Sequence, residues 1–209
     1  MNTSTRKFVV NGPAGSLSAL LDLPPEGVVP RGTAVIAHPH PLFGGTMDNK
    51  VVQTIARAFV QSGWRAVRFN FRGVGSSEGA YDEGRGELQD LLALVAHSAP
   101  EGVLALAGFS FGAFVTSHAV AALAARDVSA VVLVGTAASR FTVAPIDPEL
   151  HERTLVLHGE ADDTVPLPDA MAWARPQSLP ITVVPGGGHF FHGQLPLLRS
   201  LVARHLRTV

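Results

Sequence analysis

Gly108-Phe109-Ser110-Phe111-Gly112 lies between an apolar run over 103–107 with strand character and an Ala-rich run over 115–125 with helix character. A serine hydroxyl is a poor nucleophile in a relaxed loop, but a sharp strand-to-helix turn pushes its Oγ out of the backbone. Such a turn needs glycine two positions either side of the serine, because strand and helix pass close together around a residue whose own φ and ψ are strained. In a chain with 21 glycines the five-residue string says little by itself. The strand before it and the helix after it give it a chemical meaning, with Ser110 as the nucleophile that attacks a carbonyl.

An acid and a base follow in chain order. The run 154–158 reads as a strand that ends in Gly159-Glu160-Ala161-Asp162-Asp163-Thr164-Val165-Pro166, so three carboxylates, Glu160, Asp162 and Asp163, lie just past a strand end. A last strand over 181–184 breaks at Pro185-Gly186-Gly187-Gly188 and leads into His189, with His192 close behind as its competitor for the role of base. The base takes the serine proton and returns it to the leaving group, and the acid fixes the base's tautomer and stabilises the imidazolium. Serine, then acid, then histidine, each beyond the carboxyl end of a strand, is the order of α/β-hydrolases and not that of chymotrypsin-like or subtilisin-like proteases. His97, His118, His151 and His205 fall away from strand ends and read as ordinary helix or surface residues.

The chain resembles the α/β-hydrolase superfamily, and over nearly its whole length it is similar to small bacterial hydrolases related to dienelactone hydrolase and to simple carboxylesterases. The carrying segments are Ala37-His38-Pro39-His40-Pro41-Leu42-Phe43-Gly44-Gly45, then Phe69-Asn70-Phe71-Arg72-Gly73-Val74-Gly75-Ser76-Ser77, the serine turn, 158–166, and Gly188-His189-Phe190-Phe191. The resemblance implies that the acid is Asp162, the fifth place of a His-Gly-x-x-Asp-x-x-Val-Pro pattern. Many relatives carry Asp where this chain has Asn70, a departure that touches one loop hydrogen bond.

The tetrahedral oxyanion needs two preorganised donors. One is expected from the backbone N–H of Phe111, the residue after the nucleophile, and the other from the loop after the strand over 33–38. Pro39 and Pro41 have no N–H, which leaves His40 or Leu42. Position relative to the relatives' His-Gly implies His40. Leu42, Phe43 and Phe141 are the candidates for the pocket wall. Two other chemistries compete for the same segments. His38 and His40 share a strand face and with His158 offer a metal set. Gly73-x-Gly75-x-x-Glu78 follows a strand like half of a dinucleotide fingerprint, but the third glycine is missing, as is an acid about 20 residues on at the end of the next strand. Neither is adopted, and no metal or cofactor is expected.

These residues need a scaffold of alternating strands and helices. Strands are predicted over 33–38, 65–70, 103–107, 130–134, 154–158 and 181–184. Helices are predicted over 48–62, 86–97, 111–125, near 168–174, and over 196–206. Before them comes a hairpin, 7–10 with 17–23, turning at Asn11-Gly12-Pro13. Ala130-Val131-Val132-Leu133-Val134 is apolar on both faces, as expected of a strand buried between helix layers. The expectation is an α/β fold, a mostly parallel sheet with crossover helices on both faces. The interval 135–153 contains Pro145 and Pro148 and has room for little more than one helix of ~11 residues, so no cap domain is expected.

At 209 residues, with 46% hydrophobic and 16% charged, the chain suits a single globular domain, 1–209. A net charge of −1 offers nothing to nucleic acid or an anionic membrane. The absence of cysteine excludes disulfide and thiolate chemistry. Residues 1–7 are polar, and no run approaches the ~18 apolar residues of a membrane span, so a cytoplasmic protein acting on a small-molecule ester is expected. The function expected is a cofactor-free serine hydrolase of short-chain carboxylic esters, with thioesters or lactones as near alternatives. The alternative from another class is a hydrolase fold that binds or signals without turnover.

Overall fold

Runs that are apolar on both faces can be buried only in a sheet covered on both sides. The computed structural model, which describes residues 5–209, builds such a sheet. In chain order its elements are β1 (Thr5–Gly12), β2 (Gly15–Asp22), β3 (Thr33–Ala37), α1 (Lys50–Gln61), β4 (Arg65–Phe69), α2 (Arg85–Ser98), β5 (Leu104–Phe109), α3 (Phe111–Ala122), β6 (Val128–Val134), β7 (Thr154–Gly159), α4 (Leu167–Ala174), β8 (Ile181–Val184) and α5 (Leu195–His205). The strands form one eight-stranded sheet in the order β1-β2-β4-β3-β5-β6-β7-β8. β1 and β2 pair antiparallel, β2 runs antiparallel to β4, and every later pairing is parallel. The polar stretch 1–7 begins outside the described residues.

β3 and β5 are buried at every position, as the apolar pattern requires. On one face Val35, Leu106 and Leu133 pack with Leu91 and Leu94 of α2 and Ala119 of α3; on the other, Ile36, Ala107 and Val132 pack with Ile55 and Phe59 of α1 and Leu198 and Val202 of α5. α1 is capped by Asn49, whose Oδ1 accepts the N–H of Val51 at 2.8 Å and so satisfies an orphan helix donor. No described helix is long and apolar enough to cross a membrane.

Local differences from the sequence reading have physical causes. The hairpin turns at Pro13-Ala14, not at 11–13, because Asn11 and Gly12 remain in the ladder opposite Ser16 and Gly15. α3 ends at Ala122 despite the helix-forming residues up to 125. There the chain tightens, Arg126 N–H bonding to Leu123 O at 2.8 Å, while the Arg126 guanidinium ties to the carbonyls of Ala99 and Gly102 before β5. Tertiary anchoring overrides helix propensity at that point.

The interval 135–153 carries no α-helix; its one regular piece is a 3-10 segment, Pro148–Arg153. Among the described residues no cap domain covers the carboxyl ends of the strands.

Candidate active site

The carboxyl ends of β3, β5, β6, β7 and β8 lie side by side, and the loops that leave them converge. Ser110 sits between β5 and α3 with φ 58° and ψ −117°, a left-handed conformation rare for a residue with a side chain. It is the neighbouring glycines that allow it. A Cβ on Gly108 would strike the carbonyl of Gly112, and a Cβ on Gly112 would strike the carbonyls of Ala37 and His38, all backbone atoms that cannot swing aside. Ser110 N–H bonds to Val134 O at 2.8 Å, which ties the turn to the end of β6.

His189 leaves the glycine-rich loop after β8 and is 4% exposed. Its Nε2 lies 3.0 Å from Ser110 Oγ and its Nδ1 2.7 Å from Asp162 Oδ2. The carboxylate can only accept, so Nδ1 carries the proton and Nε2 is left to accept from the Ser110 hydroxyl. Gly135, at the end of β6, makes room for the ring: a Cβ there would sit 3.2 Å from His189 Cε1. Asp162 is held on both oxygens, Oδ1 accepting the N–H groups of Thr164 at 3.0 Å and Val165 at 2.8 Å. Burial pushes the Asp162 carboxyl up, but the hydrogen bonds from His189 and Val165 N–H and the neighbouring imidazoles bring it below the ordinary carboxylate value, so it stays ionised.

The competing residues lie elsewhere. Glu160 accepts the N–H of Gly186 at 2.9 Å, and Asp163 is exposed with only a 3.4 Å contact to Thr164 Oγ1. His192 is exposed, its ring tilted against that of Phe190 at 6.0 Å. Of the metal set, His38 has both ring nitrogens engaged, Nε2 accepting Phe71 N–H at 3.1 Å and Nδ1 donating to Pro39 O at 2.6 Å. Burial lowers its pKa to about 4, so the ring is neutral. His158 is fully buried; its Nε2 donates to Val165 O at 2.8 Å and lies 3.6 Å from Asp162 Oδ2. In the Gly73 to Glu78 turn, Glu78 accepts Ser16 N–H at 2.6 Å and so ties the turn to β2. Asn70 Oδ1 accepts Met47 N–H at 2.9 Å, the local loop bond that the Asn70 departure touches.

The loop after β3 runs beside Ser110 because β3 pairs directly with β5. Leu42 N–H is occupied, donating to His40 Nδ1 at 3.2 Å, while the backbone N–H groups of His40 and Phe111 have no acceptor among the described residues. The His40 ring packs among Phe43, Tyr81 and Phe111 at 4.7 to 4.9 Å, and its pKa is lowered first by burial and then by the nearby Arg140 charge.

Above Ser110 opens a cleft of about 340 Å³ whose apolar wall includes Phe43, Phe111, Phe141 and Phe190. Leu42, expected in that wall, lies outside it, while its neighbour Phe43 in the 3-10 turn Pro41–Phe43 lines the cleft at its exposed mouth. Sequence reasoning missed Asn49, Arg140, Thr164 and Phe190, which also line the cleft. Arg140 and Thr164 follow the ends of β6 and β7, so the strand-end rule that found the triad would have reached them as well.

The chain is similar to known α/β serine hydrolases. The family model for cutinase matches residues 29–170. A lidless α/β serine hydrolase from Xanthomonas campestris is 36% identical, with a TM-score of 0.88 over 100% of this chain and 96% of that one. An α/β serine hydrolase homologue from Coxiella burnetii is 38% identical, with a TM-score of 0.81 over 96% of this chain and 97% of that one. An uncharacterised protein of Rickettsia prowazekii is 38% identical over 120 residues, 53% of this chain and 47% of the relative, so the match spans about half the length of that curated relative.

Proposed function

The chain belongs to the α/β-hydrolase superfamily, within the family that the cutinase model describes, and from that premise we propose that it hydrolyses short-chain carboxylic esters through an acyl-enzyme on Ser110. The observation that carries this reading is the relay from Ser110 Oγ to His189 Nε2 at 3.0 Å and from His189 Nδ1 to Asp162 at 2.7 Å, at the floor of an open cleft.

The substrate carbonyl lies over Ser110 with its oxygen toward the N–H groups of Phe111 and His40. Oγ bonds the carbonyl carbon as its proton passes to His189 Nε2, and the two N–H groups hold the oxyanion that forms. Asp162 stabilises the imidazolium. As the tetrahedral intermediate collapses, the C–O bond to the alcohol breaks and the alcohol leaves with the proton from His189. Water then adds to the acyl carbon, giving its proton to His189. Breakdown of this second intermediate returns the proton to Ser110 Oγ and releases the carboxylic acid. His189 carries every proton, so the cycle needs no cofactor.

A panel of p-nitrophenyl esters, acyl thioesters and lactones of matched acyl size tests this. The expected result is the highest kcat/KM on the oxygen esters. A higher value on thioesters or lactones would move the substrate class. Saturable binding without turnover of any of them would leave a ligand-binding module.

A further inference from the structure

The cleft over Ser110 carries one formal charge among its described lining residues, and it is positive. Arg140 lines the wall, and no Asp or Glu does. It stands on a hydrogen-bonded turn after β6, where the N–H groups of Arg140 and Phe141 both bond to Ala137 O, at 3.2 and 3.1 Å. The Arg140 guanidinium has neither an ion pair nor a hydrogen bond among the described residues, unlike Arg68, Arg72, Arg85 and Arg153. Asp162, the nearest acid to the chemistry, has both oxygens occupied behind His189. Arg140 lies near enough to His40, which lines the same cleft, to add its charge to the burial that lowers that ring's pKa. Asn49 lines the same cleft with its Oδ1 committed to capping α1, which leaves its amide N–H₂ as a donor. A fork of N–H donors without an acid partner, beside apolar walls, is what a planar carboxylate on a small substrate would complete. With one cation lining the cleft, a singly charged carboxylate is matched and a phosphate dianion is not.

Resting on the ester-hydrolase reading above, we propose that Arg140 is a specificity residue and that the preferred substrates are esters bearing a free carboxylate a few bonds from the scissile bond.

The test compares kcat/KM within two pairs of esters. The first pair is p-nitrophenyl hydrogen adipate and its neutral six-carbon counterpart, p-nitrophenyl hexanoate, which places the carboxylate on the acyl side. The second is 4-acetoxybenzoate and its methyl ester, which places it on the alcohol side. In wild-type enzyme at low ionic strength, one pair should favour the anion by about fivefold, the upper range for a solvent-exposed ion pair, chiefly through KM. The pair that does so identifies the side on which Arg140 acts. The ratio should shrink in 0.5 M salt, approach one in Arg140→Gln, fall below one in Arg140→Glu, and largely survive in Arg140→Lys. Ratios near one in both pairs, or ratios unchanged in Arg140→Gln, would overturn the carboxylate subsite while turnover of the two neutral esters kept the hydrolase reading. No turnover of any of the four esters would overturn both.

Discussion

Asp162 is a carboxylate held by three donors, His189 Nδ1 and the N–H groups of Thr164 and Val165, with His158 Nε2 at 3.6 Å as a fourth neighbour. Its part in the chemistry is to keep the Nδ1 proton on His189, so that Nε2 faces Ser110 as an acceptor. Asp162→Asn can donate to Nδ1 and so favour the wrong tautomer; kcat should fall by up to about four decades. Asp163→Asn, whose side chain is exposed, should cost far less, and steady-state kinetics on one short ester ranks the two. The reverse ranking would move the acid to Asp163. In the sequence these carboxylates and Glu160 look alike, three in four positions, and only the resemblance separated them. What tells them apart is the direction of hydrogen bonds formed by distant loops, which no local pattern encodes. The role of His158 is hidden in the sequence for the same reason. Its partner, Val165 O, lies seven residues on, and nothing in its neighbourhood distinguishes a metal ligand from a ring that braces the acid loop.

His38 makes a stability prediction at the same scale. Its folded pKa of about 4 lies below the ordinary 6.5, so between these values the unfolded chain binds a proton that the folded one refuses. Stability should therefore fall as pH drops from 6.5 toward 4, by about 3 kcal/mol from this ring, and level off below. Urea unfolding of wild type and His38→Gln between pH 7 and 4 should show a flatter curve in the variant. Parallel curves would contradict the assignment.

At the scale of elements, the turn between β5 and α3 is the part most legible in the sequence, because its constraint is steric and local. Gly-x-Ser-x-Gly between a strand and a helix has few other uses, and the structure supplies the reason: the backbone of Ala37 and His38 occupies the space a side chain at Gly112 would need. Gly112→Ala should force β3 and α3 apart, at a cost of about 1–3 kcal/mol, and should lower kcat by misplacing both Ser110 and the His40 loop. Urea midpoints and turnover report the two effects; an unchanged midpoint with full activity would contradict it. Element ends were less legible, as at α3, where Arg126 anchoring to the chain before β5 decides the boundary. The loops from β6 and β3 that shape the cleft were read only in part. Loop side chains such as Leu42 and Phe43 follow the turn geometry and not a hydrophobic period, so a 3-10 turn placed one outside and the other in the wall.

For the whole molecule, the missing cap is a matter of length and proline. Residues 135–153 make one short 3-10 segment and no α-helix, which leaves the cleft of about 340 Å³ open, with Phe43 75% and Phe190 43% exposed at its mouth. An acyl chain that outgrows this cleft emerges into water, so each further methylene should gain much less than the ~0.8 kcal/mol of full burial. The account predicts the best kcat/KM for p-nitrophenyl acetate to butyrate, with no jump in rate when substrate forms an interface. A steady rise out to the dodecanoate would mean that a longer apolar groove exists. The layering of the sheet was legible from runs apolar on both faces. The order of strands, and hence which loops meet over Ser110, depends on long-range pairing that only the assembled sheet displays.

The central claim is that Ser110 is the nucleophile, and covalent labelling tests it most directly. Folded protein treated with a fluorophosphonate should gain one adduct by intact mass, with peptide mapping placing it on Ser110. Ser110→Ala, which removes only the hydroxyl at the cleft floor from a strained turn, should gain none while unfolding at a similar urea concentration. An adduct retained in that variant, or mapped to another residue, would contradict the account, as would folded wild-type protein that hydrolyses esters yet takes no label.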